Sequence, residues 1–589
     1  MPPEKQQLVY TLTARCRDCH RCLRVCPVNA ISIADGQASV RPERCISCGA
    51  CIRECPQGAK TYRRDIALAQ SLLDGRNIVA ASVAPSFPAA FPHWKAGRFV
   101  AALRRLGFSV VAETAAGAYY CAQACAQAVA SKGQNICPAC SAVVNYVEKY
   151  RPELVPQLMT AASPMITHAR MLKQQLGPDA KVVFIGPCVA KKTELERPDA
   201  AGAVDVALTF EEVSQWLEKS GISITACEES AFDGTPLGQA RLYPLSGGFL
   251  KTAGIPEGAA QRCSGSVTGA AEVKDALQSA PRDVVIEPFF CREGCVNGPG
   301  LKSVEGLLQR RLSVAAYAEA ASRLRPEEHF SPDIQLQDVP QPSKEELAAQ
   351  CAASFAPKPF KSGATYSEED ILRVLEQTGK GEPERQLNCG ACGYNSCREK
   401  AIAVLEGMAV PEMCIPLMRR RAEQRADRII SNSPNGIVVL NSSLEIVGAN
   451  EAFKTLFSCP EDILGRRISY LMDSAPFEKV AAGLQDRADF LWRDEKSGLA
   501  CKQMIYPLRE EGQIIGIFVK MTPHAADADA NARQRAQTVA QARELLAHQI
   551  DMAQHIAMFL GESTAKSEEL VKKIMTLSEE EDDGLGNSV

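Results

Sequence analysis

Ile286–Gly300 reads I-E-P-F-F-C-R-E-G-C-V-N-G-P-G, and the architecture of the chain turns on it. Cys291 and Cys295, with three residues between them and glycines behind them, belong to a chain whose other cysteines also fall in tight spacings. That pattern points to a metal site rather than a disulfide. Soft thiolates suit iron–sulfur chemistry, and glycines let the backbone close over a bulky inorganic group. A C-x3-C alone is weak. Two further stretches complete it: Cys137–Leu154 (C-P-A-C-S-A-V-V-N-Y-V-E-K-Y-R-P-E-L) and Gly186–Glu194 (G-P-C-V-A-K-K-T-E).

Composition narrows the setting. A chain of 589 residues has room for about three to five domains. Its net charge of −4 gives no electrostatic reason to expect nucleic acid. The start, M-P-P-E-K-Q-Q-L-V-Y, lacks the basic region and apolar run of a signal peptide. No apolar run approaches the roughly 20 residues that span a bilayer. The expectation is a soluble cytoplasmic protein with no membrane partner. Most of the 24 cysteines sit in tight C-x2-C or C-x3-C spacings, which predicts clusters, a reducing compartment and an anaerobic host.

Working outward, residues 1–62 hold an internal repeat. Cys16, Cys19, Cys22 and Cys26-Pro27 return as Cys45, Cys48, Cys51 and Cys55-Pro56. This is the bacterial two-cluster ferredoxin spacing, in which the fourth cysteine of each run ligates the other cluster. One cubane would take Cys16, Cys19, Cys22 and Cys55, the other Cys45, Cys48, Cys51 and Cys26. A zinc ribbon has no need of this doubled run with its prolines. From about Asn77 to Arg325 short apolar strands alternate with helices. Asn77–Val83 and Lys181–Ile185 read as buried strands, each entering a proline-containing turn.

In their order along the chain, the three cysteine stretches resemble the signature motifs of [FeFe]-hydrogenases, and residues 75–326 would be the α/β catalytic domain. The resemblance implies an H-cluster, a [4Fe–4S] cubane joined to a diiron group with CO, CN⁻ and a dithiolate. Cys140, Cys188, Cys291 and Cys295 match the cubane ligands, and Cys295 the one that bridges to the diiron group. Lys191 matches the lysine that pairs with a cyanide, and Glu194 the acid that closes the motif. A lone lysine is ordinarily a solvated one; within G-P-C-V-A-K-K-T-E it is not. Pro85 and Ser86, in Ala84-Pro85-Ser86, match a loop over the diiron group, and Leu242–Ala253 matches a Gly-Gly turn into a helix. H₂ and protons would be the substrates, with maturation proteins and a ferredoxin-like redox carrier as partners.

The departures are informative. Where the family carries a cysteine that hands protons to the distal iron, this chain has Ala139. Gly186 and Phe289 stand where pocket methionines are usual, and Met165 replaces the glutamine of Ser-Pro-Gln. Gln123-Ala124-Cys125 falls near the family's Met-Glu-Glu stretch, in a looser alignment. Proton transfer by a positioned group is worth roughly 10²–10⁴ in rate. The resemblance therefore implies a detuned site, as in a sensory subgroup of the family. Cys121, Cys125 and Cys137 are candidate substitutes.

Residues 327–364 read as a linker with one helix near Lys344–Ala353. In 365–418, Cys389-x2-Cys392-x4-Cys397-x16-Cys414 resembles a small helical [4Fe–4S] domain, giving a third accessory cluster; zinc is the alternative. Residues 419–524 resemble an α+β PAS domain, with strands on either side of Leu444, a helix starting at Asn450–Phe453 and a last strand at Gln513–Met521. No histidine lies between Asp427 and Thr522, so a histidine-ligated haem is not expected there, and Cys459 and Cys501 read as apolar fillers. Residues 525–577 would form a C-terminal helix with Val539, Ala542, Leu546, Ala553, Ile556 and Leu560 at coiled-coil spacing. The tail, 578–589, is acidic and expected to be disordered.

The fold class is thus α/β and α+β, multidomain. Three functions fit: an H₂-sensing hydrogenase reporting to a phosphatase or kinase and dimerising through its PAS and helical parts, a metabolic ferredoxin-linked hydrogenase, and a non-catalytic iron–sulfur scaffold.

Overall fold

The structure, a computed structural model, describes residues 7–91, 96–234, 238–255, 264–279, 283–322, 343–360, 366–494, 499–509, 512–521 and 538. The chain divides into two compact units, Met1–Pro411 and Glu412–Val589.

The first unit opens with the cysteine repeat. Two antiparallel pairs, Val9–Thr11 with Lys60–Tyr62 and Ile31–Ala34 with Gln37–Val40, frame it. Each run bends into one helical turn, Arg21–Arg24 or Ala50–Arg53, through a left-handed residue, His20 or Gly49. At Gly49 a side chain is excluded as well, since a Cβ would lie 2.4 Å from Pro299. The repeat seen in sequence is therefore a repeat in backbone.

Behind it stands a four-stranded parallel sheet in the order Val110–Glu113, Val79–Val83, Lys181–Gly186, Val206–Thr209. Its strands are apolar runs because helices cover both faces; all five residues of V-A-A-S-V are buried. The first of the expected strands begins at Val79 rather than Asn77, and the other runs one residue past Ile185. A second parallel pair, Ser264–Thr268 with Val285–Phe289, delivers the chain to Cys291. Isolated bridges from Ile136 to Ile286 and Leu158 bring the Cys137–Cys140 segment alongside. The loops leaving Val83, Glu113, Gly186 and Phe289 all emerge at carboxyl ends of parallel strands, where open α/β sheets form their crevices.

The expected linker needs correction. Within 343–360 the chain is fastened to the body that carries the parallel sheet. The helix is Lys344–Gln350, with a full capping box at Ser343 and Glu346, and it stops at Cys351. Leu347 and Cys351 are buried against Tyr120 and Met171. Beyond it, the Lys358 and Phe360 amides bond to the carbonyls of Glu148 and Lys149. Two buried side chains and a backbone ladder are enough to pin a polar segment. Helices Glu368–Gln377 and Cys397–Leu405 then pack together through Ile371, Val374, Leu375 and Ala401.

The second unit carries helix Ile415–Ser431 and a five-stranded antiparallel sheet. Asn450 caps helix Glu451–Leu456 and also bonds to the Ile437 amide, tying helix to sheet. The last strand is Gln513–Lys520, and Cys501 is buried. The expected C-terminal helix and acidic tail, 525–577 and 578–589, lie outside the described residues apart from residue 538. Among the described residues no helix is long and apolar enough to cross a membrane.

Candidate metal centre

Cysteines gather in the first unit as the spacing requires. Burial pushes the Cys22 thiol up to about 11, and Cys19, Cys55 and Cys16 add to this by proximity. Cys48 is raised first by burial and then by Cys26, Cys51 and Cys45. The fourth cysteine of each run thus lies with the other run's three. Cys26 and Cys55 each accept a hydrogen bond from the amide four residues on, Ala30 at 3.2 Å and Ala59 at 3.3 Å. Cys51 also senses Cys22, so the two sets adjoin. Replacing Cys26 with alanine is expected to cost the cubane of Cys45, Cys48 and Cys51 and spare that of Cys16, Cys19 and Cys22. Iron content and electron paramagnetic resonance would check this; loss of the other signal would show uncrossed pairing.

A third set is Cys140, Cys188, Cys291 and Cys295. Burial raises Cys291 to about 12 and Cys188 to about 11, with neighbouring thiols of the set contributing to each. Cys295 is raised by burial, then by Cys188, Cys140 and Cys291. Four partly buried thiols gathered in one place suit a cationic core, and an iron–sulfur cubane is such a core. Among the described residues, no group of three or more His, Cys, Asp or Glu is arranged to hold a single metal ion.

The backbone holds this set by close approach. Cys140 begins helix Ser141–Tyr150. Gly294 has φ +84°, and a Cβ there would lie 2.4 Å from the Pro244 oxygen. The Cys295 amide bonds to that same oxygen at 2.8 Å. Gly298 and Gly300 pack as tightly on Pro187 and Thr209, with Cβ clashes of 2.5 Å each. The glycines of C-V-N-G-P-G are therefore needed for contact. The second cysteine run docks beside this set. Lys149 donates to the Cys45 carbonyl at 2.7 Å, Asn145 to that of Ile46, and Arg53 to that of Asn297. Cys48, Cys140 and Cys188 border one apolar cluster.

Next to Cys188 and Cys295 lies a cavity of about 80 Å³. Its wall includes Pro85, Ser86, Ala139, Met165, Lys191 and Phe289, all singled out from the sequence, and also Thr114, Phe184 and Tyr243, which were not. The wall is mostly apolar. Ser86 is buried, and its Oγ has no partner. The Lys191 ammonium is 2.7 Å from Glu194 and 3.2 Å from the Ala139 carbonyl. Burial opposes its charge, but Glu194, Cys188 and Cys140 outweigh burial and hold it above its ordinary value. Glu194 is itself held by the Ser141 hydroxyl and lines a smaller neighbouring cavity. An unpartnered hydroxyl and an ammonium in an apolar cavity beside four thiols fit an anionic, cyanide-bearing diiron group.

Gly186 has a physical reason. A Cβ there would lie 2.5 Å from the Phe184 ring, which itself faces the cavity. A phenyl two residues earlier fills the space, so the usual methionine has no room. No sequence spacing marks Thr114, Phe184 or Tyr243, because they arrive from three separate segments.

Comparison with known proteins agrees with this geometry. The family described as iron only hydrogenase large subunit, C-terminal domain, matches residues 77–299. This is a hydrogenase-like iron–sulfur protein. A 4Fe-4S dicluster domain matches 15–59. An Fe-S cluster family matches 386–416, a span that includes Cys389, Cys392, Cys397 and Cys414. The periplasmic [Fe] hydrogenase large subunit of Nitratidesulfovibrio vulgaris is 29% identical over 287 residues, 43% of this chain and 68% of that protein. The cytosolic Fe-S cluster assembly factor NAR1 of Vanderwaltozyma polyspora is 37% identical over 86 residues, 14% of this chain and 16% of the relative. The mouse cytosolic iron-sulfur assembly component 3 is 32% identical over 133 residues, 19% of this chain. The hydrogenase-like protein thus spans only 16% and 28% of these two assembly proteins. An [FeFe]-hydrogenase variant from Chlamydomonas reinhardtii aligns with a TM-score of 0.39 at 16% identity, over 50% of this chain and all of that one. A PAS domain from Haloarcula marismortui aligns with a TM-score of 0.15 at 19% identity, over 17% of this chain and 99% of that one.

Cys389, Cys392 and Cys397 lie in the first unit, and Cys414 opens helix Ile415–Ser431 in the second. Elsewhere in the first unit, His168 is buried, and burial lowers it to about 3. The unfolded chain would protonate it near pH 6.5. A group depressed on folding loses stability as pH falls between those two values. Between about pH 7 and about pH 5 the first unit should lose about 2 kcal/mol. Urea denaturation at both values, compared with His168→Gln, checks this; an equal slope in the variant would assign the loss to other groups.

Proposed function

We propose that the chain is an H₂-responsive [FeFe]-hydrogenase of low turnover. In this reading Cys140, Cys188, Cys291 and Cys295 would hold the cubane, with Cys295 the thiol shared with the diiron group, and Lys191 would offer its ammonium to an anionic ligand of that group. When bound, the diiron group supplies the metal position at which H₂ is cleaved or formed. Pro85 and Ser86 close the pocket, and Ser86 Oγ is free to donate into it. Cys45, Cys48, Cys51 and Cys26, in the run that docks beside the site, would hold one cubane and Cys16, Cys19, Cys22 and Cys55 another, and the pair would supply a path for electrons. Cys389, Cys392, Cys397 and Cys414 hold a third accessory cluster. The PAS-like segment 419–524 and the C-terminal segment pass the redox state to a phosphatase or kinase, in a cytoplasmic homodimer loaded by maturation proteins.

The observation that carries the reading is Ala139 in the cavity wall. A methyl group stands there in place of a proton donor, in a pocket that keeps Lys191, Cys188 and Cys295. A second reading, an iron–sulfur assembly scaffold, draws on the likeness to the cytosolic assembly factors. The unpartnered Ser86 hydroxyl favours the first, since a scaffold without a diiron group has no acceptor for it in this cavity.

The test exposes the matured full chain to H₂. Electron paramagnetic resonance should show H₂ alone reducing the accessory cubanes, while dye-linked turnover stays slow. Fast sustained turnover would indicate a metabolic hydrogenase, and cubanes unaffected by H₂ a scaffold.

A further inference from the structure

Among the described residues, the cavity is lined by four residues with hydroxyl or ammonium side chains: Ser86, Thr114, Lys191 and Tyr243. Tyr243 leads to other groups able to exchange protons. Its hydroxyl lies 3.4 Å from Cys121 Sγ. Cys121 and Cys125 sit one turn apart on helix Ala115–Lys132, so their thiols share a face. Cys125 lies close enough to both Cys121 and Cys137 for the three thiols to perturb one another. All three thiols are at most 1% exposed, walled in by Ala118, Phe249 and Leu250.

Cys121 differs from other buried thiols of the chain. Burial drives Cys351 up to about 12. Cys121 is as fully enclosed, yet it is held below its ordinary value. Cys125 is the main cause, joined by Tyr243 and Lys191, against burial and Glu194. Two polar partners and an ammonium thus let the Cys121 thiol part with its proton more readily than burial alone would. Perturbation of this kind beside a cavity marks functional sites more often than packing.

We propose that Tyr243 and Cys121 are the proton relay of this pocket, with Cys125 and Cys137 as its buried extension. The proposal rests on the hydrogenase reading. Tyr243 gives its hydroxyl proton to a base in the pocket as Cys121 gives its thiol proton to the Tyr243 oxygen. The Cys121 thiolate takes a proton from Cys125, Cys125 one from Cys137, and Cys137 one from water that reaches it when the wall opens; the reverse order returns the proton to water. No electrons move. Thiols are weak hydrogen-bond partners, so the relay is slow, consistent with a detuned site.

The test starts from the full chain with its cubanes filled and no diiron group. Infrared S–H stretches of Cys121, Cys125 and Cys137, assigned with single alanine variants, are followed after transfer to D₂O. Connected thiols should exchange together, about tenfold or more faster than Cys501, which is equally buried in the second unit. Cys125→Ala should slow exchange at Cys121, and Tyr243→Phe should move its S–H band. A Cys121 band that persists as long as that of Cys501 overturns the proposal. In the loaded protein, Tyr243→Phe should slow turnover at least about tenfold with CO and CN⁻ bands unmoved. Cys121→Ser should retain part of the rate that Cys121→Ala loses. Unchanged rates in both Tyr243→Phe and Cys121→Ala overturn the relay, leaving the hydrogenase reading intact. Fast thiol exchange in a chain that never acquires CO or CN⁻ bands overturns the hydrogenase reading and the relay's role with it.

Discussion

Ala139→Cys is expected to raise H₂ oxidation and evolution by about 10²–10⁴. Ala139 lies in the wall of the cavity, which also holds Lys191, Cys188 and Cys295. Lys191 already bonds to the Ala139 carbonyl, so the backbone there is fixed before any side chain is added. A thiol at this position would face the cavity, which has about 80 Å³ of free space. The new group shortens the proton path to one step, where the native chain relies on a phenol and buried thiols. The measurement is turnover of both proteins at equal diiron loading, read from the CO bands. An unchanged rate at equal loading would place the slow step elsewhere and remove the argument that this site is detuned by lack of a donor.

Lys192→Met should destabilise the first unit by about 3–5 kcal/mol. The Lys192 side chain is 1% exposed, with its ammonium 2.7 Å from Asp65 and 3.0 Å from Glu212. Glu212 also completes the capping box with Thr209 at the start of helix Phe210–Lys219, so it cannot turn away when its cation is lost. Asp65 takes a second partner in Arg63. Methionine matches the lysine stem in shape and removes only the charge, leaving two carboxylates buried and short of a cation. Denaturation midpoints of the wild type, Lys192→Met and Lys192→Met with Glu212→Gln would check it. The double variant should recover part of the loss. A loss under about 1 kcal/mol would mean that the carboxylates find other partners.

The contrast between Lys191 and Lys192 shows what sequence can carry. Lys191 was legible because its distance from Cys188 matches a motif. Its neighbour is the more deeply buried of the two, and nothing in K-K marks it, since Asp65 and Glu212 come from segments far away in the chain. The cysteine sets were legible because cluster ligation is local and its spacing strict, and the crossing of Cys26 and Cys55 follows from the doubled run. The strands were legible as apolar runs, to within two residues at their ends. The cavity wall was half legible. Pro85, Ser86, Ala139, Met165 and Phe289 lie in or beside motifs, whereas Thr114, Phe184 and Tyr243 meet only when the sheet forms. The strap at 343–360 was misread because its composition is that of a linker and its hold is through backbone amides.

Cys121, Cys125 and Cys137 show the same limit from the other side. Their presence near the motifs made them candidates, but no spacing joins a helix to a loop and a tyrosine more than a hundred residues on. Folding supplies that connection.

The most direct test of the account is infrared spectroscopy of the full chain after maturation, under argon and then under H₂. The account predicts sharp bands of iron-bound CO and CN⁻ that shift when H₂ is admitted and are absent from Cys295→Ser. A chain with filled cubanes, exposed to a competent maturation system and showing no such bands, would contradict it.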